Sequence, residues 1–192
     1  LEKTVAHIRD NHPGEFIIAD AKRGDIGNTA RMYAKSLFET FDFDAVTLSP
    51  YMGSETVTPF LDYPGRYAIV VALSSNPTSY DFQNALNGDK PLYRSVMEKM
   101  MEISSPENMM FVVGATKADK FKEIRTFCPD NFLLVPGVGA QGGSAEEVIA
   151  GGSNSKGGLL INSSRGVIYA SAGDDFASAA AKVASQTAHV AL

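Results

Sequence analysis

Six short runs of apolar, β-branched or aromatic residues alternate with stretches of helical periodicity along this 192-residue chain, which is the pattern of repeated βα units. The runs are EFIIAD (15 to 20), AVTLSP (45 to 50), YAIVVAL (67 to 73), MMFVVGAT (109 to 116), NFLLVPG (131 to 137) and GGLLINSS (157 to 164). Several are almost continuously apolar, as strands of a parallel sheet covered on both faces must be. Between them, Ala30, Tyr33, Ala34, Leu37, Phe38 and Phe41 form one helical stripe, and Tyr93, Val96, Met97, Met100 and Ile103 form another. Ser144 and Glu147 have capping-box spacing at the start of a third helix. An alanine-rich helix is expected over 174 to 190, and the opening LEKTVAHIRD reads as already helical.

Such units build either an open doubly wound sheet or a closed (β/α)8 barrel. No G-x-G-x-x-G follows the first strand, which disfavours the dinucleotide-binding form of the open sheet. The expected fold is therefore an α/β (β/α)8 TIM barrel forming a single domain over 1–192. A barrel of this kind typically needs about 250 residues, so the first two βα units are expected to be absent from this chain. The step from Leu73 to Met109 carries SSNPTSYDFQNALNGDKP, too polar and turn-rich for core. Loops of that length are usually functional or disordered.

Composition narrows the classes of function. With 44% hydrophobic and 20% charged residues the chain suits a globular core. A net charge of −5 and a pI of about 5.2 leave no footprint for nucleic acid. Cys128 is the sole cysteine, and His7, His12 and His189 lie far apart, so neither a disulfide framework nor a zinc signature is available. No run approaches the length of a membrane span. The composition is that expected of a cytoplasmic protein without membrane partners.

In a barrel the chemistry sits at the C-terminal ends of the strands. The first such end reads ADAKRGDIGNT, with Asp20, Lys22, Arg23 and Asp25 close together. Period-2 geometry puts Asp20 and Lys22 on one side and Ala21 on the other. An ammonium held between Asp20 and Asp25 suits stabilisation of a developing carbanion and delivery of a proton to it. The alternative is a solvated strand end, with Asp25 or Asn28 capping the following helix. After the penultimate strand comes PGVGAQGG (136 to 143), and after the last NSSRG (162 to 166), the two places where barrels commonly bind phosphate. Backbone N–H groups of the glycine turns, the Gln141 amide and the Arg165 fork are suitable donors to an anion. ALSSNPTS (72 to 79) offers Ser74 and Ser75 to a polar heterocycle, or simply begins a turn.

Taken in order and spacing, DAKRGDIGNT, ALSSNPTS, PGVGAQGG and NSSRG resemble the orotidine 5′-phosphate decarboxylase family, in particular its bacterial subgroup with DAKRGDIG, over essentially the whole chain. The resemblance implies conversion of orotidine 5′-phosphate to UMP and carbon dioxide in de novo pyrimidine synthesis, without metal or organic cofactor. It implies Lys22 as proton donor at the carbon that loses carboxylate, with Asp20 near the departing carboxyl group. Asp25, Ile26 and Thr29 would reach the neighbouring subunit's site in a homodimer with shared active sites. Ser74 would contact the pyrimidine edge, and Pro136, Gln141, Ser164, Arg165 and Gly166 would surround the phosphate side of the nucleotide. The resemblance also implies a ribose-binding aspartate and a second lysine on two strands preceding those seen here. The rivals are a magnesium-dependent sugar-phosphate decarboxylase or hexulose-phosphate synthase, and a non-catalytic nucleotide-binding protein.

Overall fold

The computed structural model describes residues 1–138 and 143–190. In chain order the elements are α1 (Glu2–Asn11), β1 (Ile18–Arg23), α2 (Gly27–Lys35) continued by a π-helical turn (Ser36–Thr40), β2 (Ala45–Leu48), α3 (Thr58–Leu61) and β3 (Tyr67–Leu73). There follow β4 (Leu86–Asn87), β5 (Lys90–Pro91), α4 (Leu92–Met101), β6 (Met109–Val113), α5 (Ala118–Phe127), β7 (Leu133–Pro136), α6 (Ala145–Gly152), β8 (Leu159–Asn162), α7 (Arg165–Ile168) and α8 (Phe176–Val190). All six strand runs of the sequence are strands. Their ends differ most at β1, which starts at Ile18 and continues three residues past Asp20, to Arg23.

The chain divides into two compact units. One comprises Leu1–Val71 and Ser95–Phe111, the other Ala72–Arg94 and Val112–Leu192.

In the first unit the strand order is β1-β2-β3-β6, with β1, β2 and β3 parallel. Every residue of β2 is buried. Ala45, Val46, Leu48, Phe38, Phe60, Ile69, Val70 and Met97 make the core, and Phe38 meets Phe60 edge-on at 6.0 Å between ring centroids. Each fully buried Val, Leu, Ile, Phe or Met side chain contributes about 1.5–3 kcal/mol relative to exposure. At the N-terminal ends of the strands two arginines clasp two aspartates. Arg9 reaches Asp44 at 2.8 Å, and Arg66 reaches Asp42 at 2.6 Å and Asp44 at 3.2 Å. Asp44 also accepts the Ile17 N–H at 2.7 Å, so this network sets the point where β1 begins.

In the second unit the ends of β3 and β6 continue the order through β7 to β8, and β7 and β8 pair in parallel register from Leu133 with Leu159 to Pro136 with Asn162. Sequence-consecutive strands are thus spatial neighbours, with no reversal of order of the kind that marks the switch point of a doubly wound sheet. The insert after β3 is structured: a 3-10 turn over Pro77–Asp81 leads to the β4/β5 hairpin, whose turn uses Gly88 at φ +68°. Tyr93, Phe121, Ile124, Cys128, Leu133, Val135 and Val148 fill this unit's core. Arg125 ties its backbone together, donating to the carbonyls of Gly152 at 2.6 Å, Cys128 at 3.0 Å, Asn131 at 2.8 Å and Gly158 at 2.8 Å. At α6, Ser144 Oγ accepts the Glu147 N–H at 3.2 Å, as the capping-box spacing requires, while its own proton goes to Glu146 at 2.7 Å.

Candidate active site

The charged stretch of β1 is shaped by an irregularity in its pairing. Ala19 stands opposite Val46 and Arg23 opposite Leu48, so β1 takes four steps where β2 takes two. Asp20, Ala21 and Lys22 therefore face Thr47 alone, in a bulge that bends the strand and re-aims its side chains. Lys22 has φ +46°, a left-handed conformation uncommon outside glycine. The expected juxtaposition of Asp20 and Lys22 is present, with Lys22 Nζ 2.5 Å from Asp20 Oδ1. A bulge produces it rather than the plain pleat assumed from the sequence.

Energetics separate this pair from a structural salt bridge. The Lys22 and Asp20 side chains are 56% and 65% exposed, and such pairs stabilise a fold by about 0–1 kcal/mol. A non-glycine residue in a sparsely populated backbone region costs about 1–3 kcal/mol. The arrangement does not favour stability on balance, and strain of this kind gathers at functional sites.

The neighbouring residues have structural work. The Arg23 guanidinium lies 5.1 Å from the Tyr33 ring centroid, a cation–π contact. Gly24 permits the close approach of two backbones: Ser49 N–H donates to the Arg23 carbonyl at 2.7 Å, and a Cβ on Gly24 would sit 3.0 Å from the Ser49 carbonyl oxygen. Asp25 accepts the Ile26 N–H at 2.8 Å; among the described residues it makes no ion pair with Lys22, which pairs with Asp20 alone. Neither Asp25 nor Asn28 caps α2, whose N-cap residue is Ile26. Ile26 and Thr29 are exposed.

The second unit holds the remaining expected residues. Ser74 follows β3. Its N–H donates to Gln83 Oε1 at 2.7 Å, and its hydroxyl donates to Asn76 Oδ1 at 2.7 Å while accepting from Gln83 Nε2 at 2.9 Å. Pro136 ends β7 opposite Asn162, the last residue of β8. Two residues on, Ser164 Oγ donates to Asn162 Oδ1 at 3.3 Å. Arg165 and Gly166 open α7, both exposed; the Arg165 carbonyl accepts the Tyr169 N–H at 3.1 Å, while its guanidinium has no hydrogen-bond or ion-pair partner among the described residues. Gln141 lies outside the described residues. Between the β6 end and α5, Lys117 is buried, with its ammonium 3.9 Å from the Tyr80 ring centroid.

Sequence reasoning missed Thr47, Gln83 and Lys117. Thr47 had a signal, a lone hydroxyl in the otherwise apolar AVTL. Gln83 and Lys117 had none, because their contacts depend on how the insert after β3 folds.

Chemically, the first unit presents an ammonium beside a carboxylate, both open to solvent at a strand end. The second presents an unpaired guanidinium and hydroxyls at the ends of its strands. Among the described residues no group of histidine, cysteine, aspartate or glutamate side chains is arranged to hold a metal ion, and no helix is long and apolar enough to cross a membrane.

The chain is 54% identical over 186 residues to an orotidine 5′-phosphate decarboxylase of Phocaeicola vulgatus, covering 96% of this chain and 68% of that protein. It is 54% identical over 188 residues to an orotidine 5′-phosphate decarboxylase of Bacteroides fragilis, covering 97% and 68%. The chain thus spans about two thirds of the length of these relatives. The solved structure of Leishmania donovani OMP decarboxylase superposes with a TM-score of 0.82 at 34% identity, over 97% of this chain and 73% of that one. The fold is accordingly of the (β/α)8 class, of which the described residues carry a six-stranded sheet. Residues 2–182 match the model of the Orotidine 5′-phosphate decarboxylase / HUMPS family, and the chain belongs to that family.

Proposed function

We propose that this protein decarboxylates orotidine 5′-phosphate to UMP in pyrimidine synthesis, with Lys22 as the group that stabilises and protonates the carbanion. The observation that carries the reading is the exposed Lys22–Asp20 pair, 2.5 Å apart in a strained bulge. Family membership and relatives named for this reaction at 54% identity support it.

In this reading the bond between the pyrimidine ring and its carboxylate breaks, carbon dioxide leaves, and the electron pair stays on the ring carbon. The Lys22 ammonium lowers the energy of that pair electrostatically and then transfers a proton to it. Water returns a proton to the amine. Asp20 accepts a hydrogen bond from the Lys22 ammonium and so holds it in place before the bond breaks, and it faces the departing carboxylate.

Binding is divided from chemistry. Ser74 meets the pyrimidine edge, and Arg165, with Pro136, Gln141, Ser164 and Gly166, holds the phosphate end. Binding energy from the phosphate, remote from the reacting carbon, is thereby available to the transition state. Asp25, Ile26 and Thr29 complete a neighbouring subunit's site in a homodimer, a role that suits an Ile26 side chain 47% exposed. The reaction needs no metal or organic cofactor, and the protein works in the cytoplasm on a small nucleotide rather than on nucleic acid or membrane.

The test is a spectrophotometric assay of the intact protein with orotidine 5′-phosphate in the presence of a chelator. Turnover is expected. A requirement for added magnesium, or tight UMP binding with no release of carbon dioxide, would overturn the reading in favour of a metal-dependent decarboxylase or a nucleotide-binding protein.

A further inference from the structure

We infer that Thr47 is the positioning residue of this site: its buried hydroxyl joins the backbone of Lys22 to the carboxylate of Asp20 and so fixes the ammonium relative to its partner. The inference rests on the reading of Lys22 and Asp20 given above.

Thr47 sits in β2 with no solvent exposure, at the one position facing the three bulged residues of β1. A bulge leaves its extra residues without ladder partners, so the Lys22 N–H has to find an acceptor elsewhere. That acceptor is Thr47 Oγ1, at 2.9 Å. The single hydroxyl proton has two acceptors within reach, Asp20 Oδ1 at 3.0 Å and the Ala19 carbonyl at 3.4 Å. The carboxylate is nearer and charged, and charge-assisted hydrogen bonds are the stronger. One hydroxyl therefore accepts from Lys22 and donates to Asp20, while the same Asp20 oxygen also takes the Lys22 ammonium. Asp20, Lys22 and Thr47 close a ring of three hydrogen bonds.

The left-handed Lys22 backbone makes this ring consequential. A conformation disfavoured for a lysine persists only where the surroundings hold it, and the Thr47 hydroxyl is the described acceptor for that residue's N–H. No other hydroxyl or carboxylate side chain lies in β2, whose remaining residues are Ala45, Val46 and Leu48. Thr47→Val keeps the shape and removes both hydrogen bonds; Thr47→Ser keeps the hydroxyl. A displacement of a catalytic group by about 1 Å can cost on the order of 10²-fold in rate.

The experiment compares Thr47→Val and Thr47→Ser with the wild-type intact protein in three measurements: kcat and KM for orotidine 5′-phosphate, UMP affinity, and hydrogen exchange at the Lys22 amide. For Thr47→Val, kcat should fall by roughly 10- to 100-fold. KM and UMP affinity should stay within about threefold, and Lys22 amide exchange should accelerate by at least about tenfold. Thr47→Ser should restore kcat and amide protection together. An unchanged kcat in Thr47→Val overturns the inference. So does an equal loss in both variants, or a loss of UMP binding that parallels a lower melting temperature, since either means a purely structural role. If the wild-type protein does not decarboxylate, the proposed function fails by itself; the exchange rates still decide whether Thr47 holds Lys22.

Discussion

The Tyr93 hydroxyl lies 3.3 Å from Glu123 Oε1, inside a core that leaves the tyrosine 1% exposed. Burial, reinforced by the Glu123 charge and hydrogen bond, pushes the phenol up to about 12 from an ordinary 10.0. In the same unit, burial pushes the Cys128 thiol up to about 11 from an ordinary 9.0, against the opposing pull of Arg125. Both groups are neutral in the fold at pH values where an unfolded chain has already released their protons. Between pH 9 and 12 the unfolded state binds fewer protons, so stability falls as pH rises. The unfolding free energy should drop by on the order of 2 kcal/mol across that range for each group. Urea titrations at pH 8.5, 10 and 11.5 check this. Cys128→Ala should flatten the lower part of the fall and Tyr93→Phe the upper part; unaltered profiles would contradict the assignment.

Lys22→Ala should reduce decarboxylation by at least about 10⁴-fold, because in the proposed mechanism it removes both the electrostatic stabilisation of the carbanion and the proton that quenches it. UMP affinity should change by less than about tenfold. Steady-state assays paired with calorimetric titration of UMP measure both quantities. Full activity in this variant would remove Lys22 from the mechanism.

Arg165→Ala should act on the other end of the nucleotide. Among the described residues the Arg165 guanidinium has no protein partner to lose, so its removal should leave the melting temperature within about 1 °C. Hydrogen bonds to charged groups are worth about 1.5–3 kcal/mol each, which corresponds to a weakening of UMP binding by about 10- to 100-fold. Uridine, which lacks the phosphate, should bind both proteins alike. An unchanged UMP affinity would detach Arg165 from the phosphate.

Arg125→Met should strongly destabilise the second unit. The guanidinium serves the carbonyls of Gly152, Cys128, Asn131 and Gly158, from three separate stretches of chain. Part-buried carbonyls left without a donor cost about 1–3 kcal/mol apiece, and partial access of water should bring the total loss to about 3–5 kcal/mol. Denaturant unfolding measures it, and a loss below about 1 kcal/mol would show that these carbonyls find other donors.

The strands, the sequential sheet order and the Lys22–Asp20 pairing were legible because they follow from local patterning and from a charged stretch directly after an apolar run. The bulge was not. Nothing in ADAKRGD announces that four steps of β1 are matched to two of β2, since register is a property of the pair of strands. For the same reason the role of Thr47 was invisible even though a hydroxyl in AVTL is conspicuous. Asp25 was expected beside Lys22 from proximity in the sequence, yet its carboxylate takes a neighbouring backbone N–H; short polar side chains near helix starts commonly find such local partners. The insert after β3 read as irregular because its turns and two-residue strands are too short to give a periodic signal.

The positive φ of Lys22 sets the interests of the fold against those of the proposed chemistry. Glycine would relax the backbone there. A directed-evolution campaign scored only on heat tolerance should therefore favour glycine at position 22, and would enrich proteins that are robust and inert.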